Sequence, residues 1–143
     1  MYKHTQKSDM MTATSMVLLG VAIVAGYIAK QPIVVYPLGL AALGAYFSFR
    51  ELTVEVDDAS VRISFGAGWI KKEIKLGDIS SAEAVRNSWM YGLGVQYIGN
   101  GWLYNVSGLD AVELKLKSGK RARIGTDEPQ VLETEIKSRL AAK

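Results

Sequence analysis

The chain has no cysteine and one histidine, and from Thr12 to Phe49 its only charge is Lys30. Without cysteine there are no disulfides, thiolate metal sites or cysteine nucleophiles. The single histidine, His4, falls in a polar N-terminal segment, 1–11, which reads as a solvated tail. General acid–base and nucleophilic chemistry therefore lack their usual members: no carboxylate pair and no metal-ligand spacing stands out, and no catalytic residue, metal or cofactor is expected. Three glycine pairs, Gly66-Ala67-Gly68, Gly92-Leu93-Gly94 and Gly99-Asn100-Gly101, lack the following Gly-Lys-Ser/Thr or spaced third glycine that phosphate binding needs. A nucleic-acid interface is not expected either. The net charge is +3, but beyond Leu52 13 Lys and Arg face 12 Asp and Glu, and the remaining excess flanks the apolar segment.

What is present is a sharp division along 143 residues. Two uncharged runs, Thr12–Ala29 and Gln31–Phe49, hold 18 and 19 residues. Each is close to the roughly 20 needed to cross hydrocarbon as a helix. Only Lys30, Gln31 and Pro32 interrupt them, and Pro32 suits the first turn of a second helix. Tyr27 and Tyr36 bracket the turn while Tyr46, Phe47 and Phe49 mark the other edge, as interfacial aromatics do. Small residues four apart, Ala22 with Gly26, Ala25 with Ala29 and Ala41 with Ala45, permit close helix packing. The run ends Gly26-Tyr27-Ile28-Ala29 without the small-residue pattern of a cleaved signal. It is also too apolar all round for a soluble helix pair. Segment 12–50 is thus expected to be a two-span membrane hairpin. Lys3, Lys7 and Arg50 outside the spans, against Lys30 in the turn, put both termini in the cytoplasm.

Beyond the spans, segment 51–143 changes to alternation. Leu52, Val54 and Val56, then Val61, Ile63 and Phe65, share one parity around the turn Asp57-Asp58-Ala59. In Trp69–Leu76 the parity of Ile70, Ile74 and Leu76 is broken by Lys72, which calls for a bulge or a sheet edge. Asp78–Arg86 reads as a further strand. Ala111–Lys117 and Lys120–Ile124 flank a Ser118-Gly119 turn, with Val112, Leu114, Leu116, Ala122 and Ile124 inward. Leu132, Ile136 and Leu140 stripe a terminal helix that Asp127 is placed to cap, with Gln130 answering.

The run Gly101-Trp102-Leu103-Tyr104-Asn105-Val106-Ser107-Gly108-Leu109-Asp110-Ala111-Val112-Glu113-Leu114, continued by Arg123-Ile124-Gly125-Thr126-Asp127-Glu128-Pro129, resembles small bacterial membrane proteins with a pleckstrin-homology-like domain. The resemblance implies a location in a bacterial inner membrane and an α+β domain, a curled sheet or barrel of about seven strands capped by the C-terminal helix. Phosphoinositide-binding members carry a basic first hairpin; Asp57 and Asp58 stand in this one.

Two surfaces are candidates for function. Trp89, Tyr91, Tyr97, Trp102 and Tyr104, interleaved with glycines, can line a groove for a partner peptide or rest on the bilayer; the alternative is that the aromatics fill the barrel and the glycines permit bends. Lys115, Lys117, Arg121 and Arg123, joined by Lys120, form a basic face suited to anionic headgroups unless it is a solvated face partly neutralised by Glu113. The expected function is a non-enzymatic, membrane-anchored interaction domain for a protein partner, homo-oligomerisation included, with headgroup docking as the alternative.

Overall fold

The structure, a computed structural model, describes residues 1–30 and 32–142. It is α+β, with three helices and two sheets of four and five strands.

Helix α1 (Asp9–Ala29) starts where the Ser8 side chain accepts from the Met11 N–H at 3.1 Å, three residues earlier than the uncharged run suggests. It ends at Lys30, whose φ of 53° is the left-handed C-cap conformation. Helix α2 (Pro32–Phe49) contains Pro37. The two lie side by side: Ala22 is buried, and a Cβ built on Gly26 would stand 1.9 Å from Cγ2 of Val35. That is the close approach the small-residue spacing implies. Leu18, Val21, Val24 and Ile28 of α1, like Ile33, Leu38 and Leu40 of α2, are exposed. Among the described residues α1 is the one helix long and apolar enough to cross a membrane; the second apolar stretch, Val35–Phe49, is shorter, so length alone does not give two spans.

The outer ends of the helices meet, since the Ser8 N–H donates to the Arg50 carbonyl at 2.8 Å. From there both chains continue as strands. The segment expected to be a free tail is strand β1 (Tyr2–Lys7), paired antiparallel with β2 (Glu51–Val56) from Tyr2↔Val56 to Lys7↔Glu51. Its side chains are mostly polar, so no apolar alternation announces it; the helix pair brings it to β2. Strands β3 (Ser60–Phe65) and β4 (Ile70–Lys75) complete the first sheet, order β1-β2-β3-β4. Leu52, Val54, Val56, Val61, Ile63 and Phe65 are all buried, as their parity requires. Lys72 needs no bulge, because β4 is an edge strand in continuous register with β3.

A short 3-10 turn, Leu76–Asp78, carries the chain into the second sheet: β5 (Ile79–Arg86), β6 (Gly94–Tyr97), β7 (Gly101–Asn105), β8 (Asp110–Leu116) and β9 (Arg121–Gly125), ordered β5-β8-β9-β7-β6. Its pairs are antiparallel except β7 with β9, which run parallel. Of the expected curled sheet or barrel of about seven strands, the barrel is corrected here: among the described residues segment 51–143 holds eight strands, β1 adds a ninth, and the sheets are not closed into a barrel. Strands β6 and β7 come from the glycine- and aromatic-rich segment, and β5 and β6 are the edges of the second sheet.

Helix α3 (Pro129–Ala141) lies on β5 and β8 and drives fully buried Leu132 and Ile136 into a core shared with Phe65, Leu114 and Ile124 of the two sheets. Glu128, not Asp127, occupies its N-cap, with no side-chain bond of its own; the Thr126 hydroxyl accepts from the Glu128 N–H at 3.1 Å. Asp127 is engaged elsewhere.

Candidate functional site: a cleft at the free edge of β4

The β6–β7 hairpin turns at Gly99, where φ is +83°. Tyr97 Oη donates to the Gly99 carbonyl at 2.7 Å, and the Tyr97 ring packs edge-on against Trp102 with centroids 5.4 Å apart. This turn is tied to the β8–β9 turn: Asn100 donates its side-chain amide to the Gly119 carbonyl at 3.1 Å, and the Arg121 N–H donates to the Asn100 carbonyl at 2.9 Å. Beside the joined turns, β7 and β9 run at very close backbone spacing, for a Cβ on Gly101 would fall 1.7 Å from the Arg121 carbonyl oxygen.

Between this corner and β4 lies a cleft of about 290 Å³, walled by Lys72 and Ile74 of β4, Tyr97, Trp102 and Tyr104 of the hairpin, and Lys120 and Arg121 of the joined turn. Its lining holds three cations and no carboxylate. Burial pushes the Tyr104 phenol up. Arg121 is shared with Glu113 behind the cleft, 3.8 Å away, while Lys72 and Lys120 form no ion pair among the described residues, and aromatic surface beside such charge suits a ligand with apolar and anionic parts.

The five expected groove aromatics are not one surface. Tyr97, Trp102 and Tyr104 meet in the cleft, whereas Trp89 and Tyr91 form a separate 3-10 turn in which Trp89 is 80% exposed. The basic face also divides. Arg123 Nε donates to Glu113 at 2.7 Å and its Nη1 to Asn87 at 3.2 Å; Lys115 pairs with Glu83 at 3.2 Å; Arg121 stands 3.8 Å from Glu113. Glu113, at outward parity, is nonetheless buried. Among the described residues Lys117 and Lys120 form no ion pair, and of these two only Lys120 reaches the cleft. Lys72 was missed as a site residue. Its signal was the parity break itself, a cation on the inward side of an edge strand.

A larger depression of about 430 Å³ lies over the first sheet, with carboxylates Glu55 and Glu73 among its cations: Arg62 lies 2.9 Å from Asp57 and 3.5 Å from Glu55, which also pairs with Lys3. Nor is His4 a solvated tail residue. Its Nε2 lies 2.6 Å from Asp127 Oδ1 and its Nδ1 3.5 Å from Glu128 Oε2, which ties β1 to the start of α3. No group of three or more His, Asp or Glu that could hold a metal occurs among the described residues.

Tyr2, stacked on His4, buries its hydroxyl beside Glu128 and Asp127, and burial, reinforced by these carboxylates, pushes its phenol up to about 12. The folded chain therefore keeps this proton after the unfolded chain has lost it. Tyr2 supports the fold fully below pH about 10 and progressively less from there to about 12. Tyr2→Phe removes this ionisation. Melting curves at pH 8 and pH 11 should show a smaller alkaline loss in the variant.

Compared with protein-family models and with curated proteins, the chain matches none.

Proposed function

We propose that this chain is a non-enzymatic interaction module, anchored in a bacterial inner membrane by a two-span hairpin, whose cytoplasmic β domain captures an acidic, extended segment of a partner protein. The observation that carries the proposal is the cleft, where Tyr97 and Trp102 stand with Lys72, Lys120 and Arg121 and no carboxylate beside the unpaired edge of β4. An extended segment can add to such an edge by main-chain hydrogen bonds while its acidic side chains meet the cations.

Two spans are supported by connectivity more than by length. Helix α2 returns alongside α1 to Arg50, whose carbonyl holds the Ser8 N–H, so a membrane crossed by α1 is crossed back by α2. The exposed apolar side chains of both helices then face lipid. Lys3, Lys7 and Arg50 against Lys30 favour cytoplasmic ends. The pleckstrin-homology-like resemblance belongs to the same reading, supported by two sheets with a C-terminal helix on the core; the parallel β7–β9 pair departs from that fold's antiparallel sheets. Headgroup docking through the same cations is disfavoured by placement. The Gly94 end of β6 lies against Phe49, whereas Tyr97, Trp102 and the adjoining turn with Lys120 and Arg121 lie at the other end.

A photo-crosslinking residue in place of Tyr97, in cells making the full chain, is expected to trap a discrete partner protein. Lys72→Glu with Lys120→Glu should reduce the adduct roughly tenfold, the change for about 1.4 kcal/mol. Adducts to lipid only, or none, would overturn the reading; adducts to the chain itself would make the partner a second copy.

A further inference from the structure

The chain has three tryptophans, and they occupy different heights along the β domain. The β3–β4 turn is folded onto the last turn of α2: the Gly66 N–H donates to the Glu51 carbonyl at 2.8 Å, and a Cβ on Gly66 would stand 1.9 Å from the Phe47 carbonyl oxygen. Three residues on, Trp69 is 73% exposed. The start of β6 meets the same helix end, since a Cβ on Gly94 would lie 3.7 Å from the Phe49 ring. Immediately before it, the turn of Trp89–Tyr91 leaves Trp89 80% and Met90 76% exposed. Trp102 is elsewhere. It pairs with Tyr97 at the far end of the hairpin, about 10 Å along the strand from Gly94 at the usual rise per residue.

We propose that the loops carrying Trp69 and Trp89 dip into the interfacial zone of the bilayer, so that the β domain lies on the membrane in one fixed attitude with the cleft turned away from it. The inference rests on the reading that α1 and α2 span the membrane. Given that reading, the occupant follows from continuity: the β3–β4 turn packs on residues 47–48, and the start of β6, which the Trp89–Tyr91 turn leads into, meets Phe49, where α2 leaves the hydrocarbon, so both exposed indoles are carried by segments that join that boundary. An indole buries its ring among acyl chains and leaves its N–H among the headgroups, which makes this boundary its favoured depth. Lys71, next but one to Trp69, and Arg50 at the helix end supply positive charge at the level of phosphate. Two loops from different sheets, Trp69 on the first and Trp89 on the second, fix an attitude where one would leave a hinge.

The test uses the full chain in vesicles of phosphatidylcholine and phosphatidylglycerol, with or without brominated acyl chains. Three single-tryptophan proteins keep Trp69, Trp89 or Trp102, with phenylalanine at the other two positions. Bromine is expected to remove roughly half of the Trp69 and Trp89 emission, as for interfacial indoles, and to leave Trp102 unchanged. If the protein floats with the vesicles but Trp69 and Trp89 are quenched no more than Trp102, the docking proposal is wrong and the anchor stands. Protein that does not float with vesicles overturns the anchor and the docking proposal together.

Discussion

Gly101→Ala is expected to destabilise the β domain by about 3 kcal/mol, the upper end of what overpacking costs, and to shift the emission of Trp102 as the cleft opens. The position does not demand glycine for its backbone angles, since its φ is not in the left-handed region. It demands glycine for space. A Cβ there would lie 1.7 Å from the Arg121 carbonyl oxygen, 2.5 Å from its carbon and 3.0 Å from its Cα. All three are main-chain atoms, so no rotamer change relieves the clash. Relief requires β7 and β9 to part at the first rung of their parallel pairing, Gly101↔Arg121, and endangers the hydrogen bond from Arg121 to Asn100. Gly77→Ala is the control, with nothing within 4 Å and no unusual φ; it should fall within about 0.5 kcal/mol of the parent in the same denaturant titration.

Glu113→Ala should cost a comparable amount, about 3 kcal/mol, through a different cause. The Glu113 carboxylate is 6% exposed and holds Arg123, itself 19% exposed, on one oxygen, with Arg121 near the other. Removing it leaves the Arg123 guanidinium sheltered from water with Asn87 as its remaining polar partner. Arg123→Ala combined with Glu113→Ala should therefore cost less than the sum of the two single changes, and a double-mutant cycle on melting data checks this. The same substitution releases Arg121 toward the cleft. Capture of an acidic partner should be maintained or strengthened while stability falls, which separates the structural carboxylate from the binding surface.

Much of the domain was legible because apolar residues recur at period two wherever a strand has one face on the core. Val54, Ile63, Leu114 and Ile124 were placed inward on that basis and are buried, as are Leu132 and Ile136 of the terminal helix. Strand β1 was not legible, because Lys3, Thr5 and Lys7 carry no apolar signal and its pairing depends on where two helices deliver their ends. The unclosed sheets and the parallel β7–β9 pair were hidden for a related reason: alternation tells which face a strand buries, not which strand it pairs with. In the candidate site, both the aromatics and the cations were visible, but adjacency misled. Trp89 and Tyr91 were grouped with Tyr97, and Gly92 and Gly94, at φ +67° and +95°, turn the chain between them. Lys72, distant in sequence, joined the cleft through the packing of the two sheets.

The junction at Ser8 and Arg50 also sets an order of assembly. Strand β1 leaves the ribosome before either apolar helix, and its partner β2 leaves only after both. Until the two helices lie side by side, nothing holds β1 next to β2 and the first sheet lacks its outer strand. Once the helices lie side by side, Ser8 and Arg50 meet and the two strands can pair along their whole length. The first sheet is therefore completed by the pairing of the two helices, which on the proposed reading is their insertion in the membrane, and a chain whose helices fail to pair presents an open β2 edge.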